Sequence, residues 1–301
     1  MIRRIFFIVF GFFTLLNIPL LACDSCASSV SNMGMGLLTD YRSNFISLSY
    51  LESRFESSSE YDYSVSDRFS QMDLSLRFSL GKSKRLRLMA RLPFGKNLRK
   101  SGNAELAIQG LSDINFRANY VLINSLVLGD KTALYLEAGS GIVLPTGKFD
   151  EQIHDKNLPE NFNIGKGAFA YTFQLNTVFN RDKGGLVFNN VFQLNENTKS
   201  GYHFGNQLNS QLTLFRTFQK DDVKLIPNVG LTFEKTFSDV YANGNNVSQT
   251  GGKAMYFSTA FNFKIENWFA GVSYATPLSE NFSDGAVNAK GKMAFQLSLI
   301  F

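Results

Sequence analysis

Cysteine, histidine, tryptophan and proline are all scarce in this chain of 301 residues, which holds two Cys, two His, one Trp and six Pro. Cys23 and Cys26 are too few for a disulfide framework and cannot alone make a four-coordinate zinc site. His154 and His203 leave little for acid–base catalysis near neutral pH. A low proline count suits a sheet, where each Pro removes a ladder donor. Beyond residue 22 no run is long and apolar enough to cross a membrane as a helix. Charge of one sign is also lacking. The formal net charge is +5, and removing Arg3 and Arg4 with a leader lowers it to +3. A balance that small gives no argument for nucleic acid or an acidic partner.

What is present in excess is Phe, 30 residues, with 11 Tyr. Apolar residues make up 44% and the mean hydropathy is −0.08. These are the values of a soluble globule, and equally of a barrel in which only alternate residues face lipid. Aromatic residues in such numbers suit a flat apolar face.

The front of the chain reads as a secretory leader. Arg3 and Arg4 precede an apolar run from Ile5 to Leu21, and Ala22 stands before Cys23. Residues 1–22 are therefore expected to be a signal peptide, 23–43 a periplasmic lead-in, and 44–301 one membrane domain. At the other end, Met293, Phe295, Leu297 and Leu299 alternate with Ala294, Gln296 and Ser298, and only Ile300 breaks the period. A period of two puts one set on each face of a strand. A strand ending on Phe301 with no polar tail fits the closing strand of an outer-membrane β-barrel. It also resembles the signal read by the barrel-assembly machinery.

Alternation recurs twelve times. The clearest pair is residues 71–80 and 85–92, joined by Gly81-Lys82-Ser83-Lys84, with apolar residues at every even strand position. The other strands are expected at 44–56, 112–123, 132–145, 167–179, 185–195, 204–218, 223–234, 254–264, 267–276 and 292–301. Links after even-numbered strands are short, as at 124–131, 180–184, 219–222 and 265–266. Links after odd-numbered strands are long and polar, as at 96–110, 148–166, 235–253 and 277–291. A soluble sandwich has no reason to sort its loops by parity, whereas short periplasmic turns and long outer loops are usual in membrane barrels. The expected fold is all-β: a transmembrane antiparallel barrel of about twelve strands with both termini periplasmic. Its setting is the cell outer membrane, and its environment the lipid bilayer.

Charged residues then fall on the inward phase, Asp73, Arg77, Arg85, Arg87, Arg91, Asp113, Arg117 and Glu137, together with the polar Asn115. They admit two readings, an arginine ladder selecting anionic or polar solutes, or an ion-pair network filling a narrow lumen. Cys23 and Cys26 admit four: a periplasmic disulfide, a soft-metal (copper) site shared with Met33 and Met35, lipidation of Cys23, or redox activity. No other cofactor is expected. Catalysis is not expected either. The outer-membrane phospholipase is a twelve-stranded barrel needing a Ser near its His, and His203-Phe204-Gly205-Asn206 offers none on the adjacent same-face position. Gly147-Lys148 is a loop exit rather than a phosphate cradle, because five residues separate Gly141 from Gly147 and Phe149 replaces the metal-binding Ser or Thr.

Two internal stretches, Gly110-Leu111-Ser112-Asp113-Ile114 and Gly141-Ile142-Val143-Leu144-Pro145-Thr146-Gly147-Lys148, resemble the outer-membrane channel family associated with meta-pathway phenol degradation. Ser112 stands where Gly is commoner. Cys23-Asp24-Ser25-Cys26, with Asn44-Phe45-Ile46, resembles a subgroup of Bacteroidetes barrels beginning with Cys-Asp-x-Cys. The resemblance implies a channel that passes a small organic solute by facilitated diffusion. The other expectation is a barrel that anchors a metal- or partner-binding N-terminal segment.

Overall fold

The computed structural model describes residues 43–58, 64–156 and 158–301. The leader and the Cys23, Cys26, Met33 and Met35 set lie outside the described residues. Fourteen strand segments follow one another: β1 (Phe45–Ser58), β2 (Ser64–Leu80), β3 (Leu86–Ser101), β4 (Ala104–Leu111), β5 (Ile114–Gly129), β6 (Thr132–Leu144), β7 (Ala170–Arg181), β8 (Gly184–Asn195), β9 (Gln207–Arg216), β10 (Phe218–Lys220), β11 (Val223–Thr236), β12 (Gly252–Ile265), β13 (Trp268–Phe282) and β14 (Val287–Ile300). β4 and β5 are two parts of one wall strand, since β3 pairs Phe94 with Leu111 of β4 and Arg91 with Asn115 of β5. β10 likewise continues β9 beyond Thr217. The wall therefore has twelve antiparallel strands. β14 pairs with β1, Leu297 opposite Leu48, and the sheet closes on itself. Closure satisfies the wall's backbone donors and acceptors within the wall, which the hydrocarbon region demands.

Side-chain alternation sets the two faces. Leu214 is 57% exposed, whereas Thr213 beside it is 2% exposed. The same parity turns Leu74, Leu92, Phe116, Leu231, Phe261 and Leu297 outward, and Ser75, Asn119, Thr232, Asn262 and Ser298 inward. Trp268 and Phe301 are exposed at the end of the barrel that carries the C-terminus, where amphipathic and aromatic rings suit the membrane–water boundary.

Strands run further than alternation of apolar residues indicates. The stretches 96–110 and 277–291, expected as loops, are mostly strand: β3 turns into β4 at Gly102-Asn103, and β13 reaches Phe282 before β14 starts at Val287. β2 begins at Ser64 rather than 71, and β5 continues to Gly129 rather than ending near 123. In all but the last of these the wall projects past the apolar belt. Its outer face becomes polar there, as with Lys100 and Glu105, and the apolar/polar contrast fades although the ladder persists. In β5 the contrast fails for another reason, a run of apolar residues beside register shifts near Ile123 and Leu126. The short turns at the C-terminal end, such as Asp182-Lys183 and Glu266-Asn267, stand as expected.

Candidate functional site

The lumen is occupied at both ends. At the end opposite the C-terminus, residues 145–169 leave the wall after Leu144 and fold inward before β7. Ile153 and Phe162 of this loop are fully buried. Phe162 meets Phe69 of β2 edge to face at 5.3 Å, and Phe55 continues the contact across β1. Leu158, Tyr256, Phe282 and Val287 complete this apolar cluster, which reaches from the loop to β12, β13 and β14. Asn97 Nδ2 donates to the Phe162 carbonyl at 2.9 Å, and the Arg99 guanidinium lies over the Phe162 ring.

The loop is pinned at its two ends by one carboxylate. Asp113, at the break between β4 and β5, accepts from the Gly147 N–H at 2.9 Å and the Lys166 N–H at 2.8 Å. Ser112 Oγ donates to the Ile164 carbonyl at 2.5 Å. Gly147 and Gly165 pass so closely that a Cβ on either would lie 2.7 Å from the other's Cα. The two stretches singled out above, 110–114 and 141–148, thus meet in space and fasten this loop.

At the end carrying the C-terminus the filling comes from the wall. Phe45, Ile226, Phe269 and Ile300 pack with Met89 and Phe215. Val121, Tyr135, Val178 and Val187 pack against the same Phe215, so the two groups join across the lumen. Ile300, the residue that breaks the C-terminal period, is explained by this inward apolar patch.

Most charges inside are paired. Arg87 Nη1 donates to Glu137 Oε2 at 3.0 Å and to Tyr135 OH at 2.6 Å, and Asn119 holds the other Glu137 oxygen. Arg91 lies 3.1 Å from Asp73, which also accepts from Gln71. Arg77 donates twice to the Ser43 carbonyl and covers the Phe45 ring. Arg85, expected inside, is instead exposed in the turn before β3, because that strand starts only at Leu86. Two pairs were not anticipated: Asp67 with Arg99, bidentate at 2.8 and 2.6 Å, and Glu234 with Lys292 at 2.5 Å. Both obey the inward parity but lie where the outer face turns polar, or beyond the apolar part of a strand.

Against the inner side of the loop is a cavity of about 110 Å³ lined by Arg91, Asn115, Arg117, Glu160, Asn161, Lys166, Thr172, Gln207 and Asp239 among others. Asp239 accepts from the Gly205 N–H at 2.6 Å and Tyr202 OH at 2.7 Å. Lys166 Nζ donates to Asn195 Oδ1 at 3.3 Å and lies over the Phe204 ring. Burial lowers its pKa to about 8 against the attraction of Asp239 and Asp113. Glu160 is pushed up to about 7, by burial first and then by Asp239, Asp150 and Glu151. His154 Nε2 is 3.1 Å from Glu160 and His203 Nδ1 is 2.9 Å from Asn197, so both histidines take part in loop contacts.

An outer membrane channel from Pseudomonas putida F1 superposes with a TM-score of 0.64, at 14% identity, over 86% of this chain and 96% of that one. The chain has the fold of an outer-membrane β-barrel. The β domain of the Bordetella autotransporter BrkA gives a TM-score of 0.46 at 12% identity, covering 86% of this chain and 100% of that one. The translocator domain of NalP from Neisseria meningitidis gives 0.42 at 11%, covering 86% and 88%. No family model and no curated protein matches the chain.

Proposed function

We propose that this barrel is a narrow outer-membrane channel through which small polar solutes diffuse, here in an occluded form, with both termini periplasmic. One observation carries the reading: a polar cavity inside the lumen, separated from the lipid by the wall and bordered by the inward loop. A barrel serving only as an anchor has no need to keep polar groups around a cavity in its interior. Transport, not catalysis, is the activity proposed, and Phe301 is read as the signal for barrel assembly. The test is planar-bilayer recording of the full chain in KCl. Discrete conductance steps that grow when Phe162 is truncated support the channel.

A second reading draws on the filled ends: a closed barrel anchoring the Cys23–Cys26 segment. Absence of steps in both the wild-type protein and a Phe162→Ala variant selects it.

A further inference from the structure

The cavity holds an unusual concentration of polar atoms without protein partners. Thr172 Oγ1, Gln207 Oε1, both side-chain ends of Asn161 and the Nε of Arg117 are buried, and none of them makes a hydrogen bond. All four residues line this one cavity. Thr172 is 1% exposed and Gln207 7%, so bulk water does not reach them freely. Buried polar groups in native proteins are matched by something, be it protein, ordered water or ligand.

Charge decides among these occupants. Arg117 donates to Gln174 Oε1 and forms no ion pair among the described residues, while its neighbour Arg91 is committed to Asp73. The carboxylates around the cavity have their oxygens engaged; Glu160, which also lines it, faces His154 Nε2 at 3.1 Å and accepts from Asn163 Nδ2 at 3.4 Å. Asp113 accepts two backbone N–H groups, and Asp239 accepts one N–H and one hydroxyl. Glu137, which also attracts Arg117, is held by Arg87, Tyr135 and Asn119. A cation entering the cavity finds few free acceptors. An anion finds a guanidinium whose remaining N–H groups suit a planar carboxylate, with a hydroxyl and an amide close by. Water completes hydrogen bonds but gives the Arg117 guanidinium no ion-pair partner, which a carboxylate does.

We propose that this cavity is a binding subsite for a small monocarboxylate, its carboxylate on Arg117 and a further oxygen within reach of Thr172, Asn161 or Gln207. The proposal rests on reading the barrel as a solute channel and names the class of solute that pauses in it. The cavity volume restricts the ligand to several non-hydrogen atoms, so aromatic acids require the loop to move.

Lactate and glycerol make a matched probe pair, since both have six non-hydrogen atoms and only lactate is charged. Calorimetric titration of the folded full chain in detergent should show lactate binding and no glycerol binding. Arg117→Gln should weaken lactate about tenfold or more, the usual scale for losing a charge-assisted pair. Thr172→Val, nearly isosteric, should weaken it by a smaller factor and stands in if Arg117→Gln does not fold, as judged by migration on unboiled gels. In bilayers lactate should interrupt the KCl current of the wild-type protein and interrupt that of the variants less. Equal behaviour of lactate and glycerol, or lactate binding unchanged in the folded variants, overturns the subsite and leaves ordered water as the occupant. Missing KCl steps alongside lactate binding would defeat the channel reading and keep the site.

Discussion

At the end opposite the C-terminus the lumen is filled by a loop, whereas at the C-terminal end it is filled by side chains of the wall itself. The loop 145–169 is held to the wall by one dry cluster around Phe162, by the Asp113 clamp and by single hydrogen bonds from Asn97, Ser112 and Lys166, and part of its inward surface borders a polar cavity. The ring around Phe215 has no such segment. Phe45, Ile226, Phe269 and Ile300 belong to β1, β11, β13 and β14, and moving them means distorting the barrel or changing rotamers. One closure is therefore built on a loop, the gate of the proposed channel, and the other is a constriction built on side chains. A hydrophobic constriction of the second kind opposes water and ions even without full steric contact.

Two closures in series add their resistances, and this gives the largest effect expected. Phe162→Ala and Phe215→Ala should each raise the KCl conductance modestly, because the remaining closure still limits current. The double variant should exceed the product of the two single increases. If Phe162→Ala alone opens the pore fully, the ring is no barrier and the comparison fails. Urea unfolding supplies a second readout. Phe162 is fully buried, so its truncation should cost roughly 3–5 kcal/mol, and the half-buried Phe215 should cost less.

A smaller effect isolates the hinge of the gate. Asp113→Ala leaves the Gly147 and Lys166 N–H groups without their acceptor, each worth about 1–3 kcal/mol when buried and unpaired. The loop should undock more often while the wall stays folded. Trypsin should then cut at Lys148, Lys156 or Lys166 faster than in the wild-type protein, and single-channel currents should flicker. Asp113→Asn retains one acceptor oxygen and should fall between the two. Unchanged cleavage would show that the Phe162 cluster alone fixes the loop.

The wall was legible because its physics is periodic. Leu74 and Leu92 face lipid, and Ser75 and Arg91 face inward, on a period of two that the residues display directly. Asp73, Arg87, Arg91 and Glu137 could be placed on the inward phase for the same reason. Their partners were another matter, since pairing across strands depends on register, and register depends on closure. The loop carried no periodic signal. Ile153, Leu158 and Phe162 are spaced irregularly among Asp, Asn and Lys, a pattern that reads as a solvated connection. Asp113 and Gly147 are 34 residues apart in sequence, and their contact appears only when β5 and β6 pair. Arg85 was misplaced for a local reason, its strand beginning one residue later than alternation implied.

The smallest effect expected is a pH dependence of the gate, and its sign follows from Glu160. Burial among Asp239, Asp150 and Glu151 raises its pKa from 4.5 to about 7 in the docked loop. Undocked, it should titrate near its ordinary value. The docked state therefore holds the proton more tightly. Docking carries no penalty below pH 4.5, gains one progressively as pH rises, and carries the full penalty above about 7. Lys166, lowered from 10.5 to about 8, stays protonated through that window and shifts docking only at higher pH. Conductance and loop cleavage should thus both rise between pH 5 and pH 7.5, by no more than some tens-fold, roughly the limit that this difference in pKa sets on the docking equilibrium. Glu160→Gln should flatten this rise, its neutral amide standing in for the protonated acid. His154→Gln separates the imidazole beside Glu160 from the carboxyl itself. If the rise persists in Glu160→Gln and vanishes in His154→Gln, the histidine is the titrating group and the assignment to Glu160 is wrong.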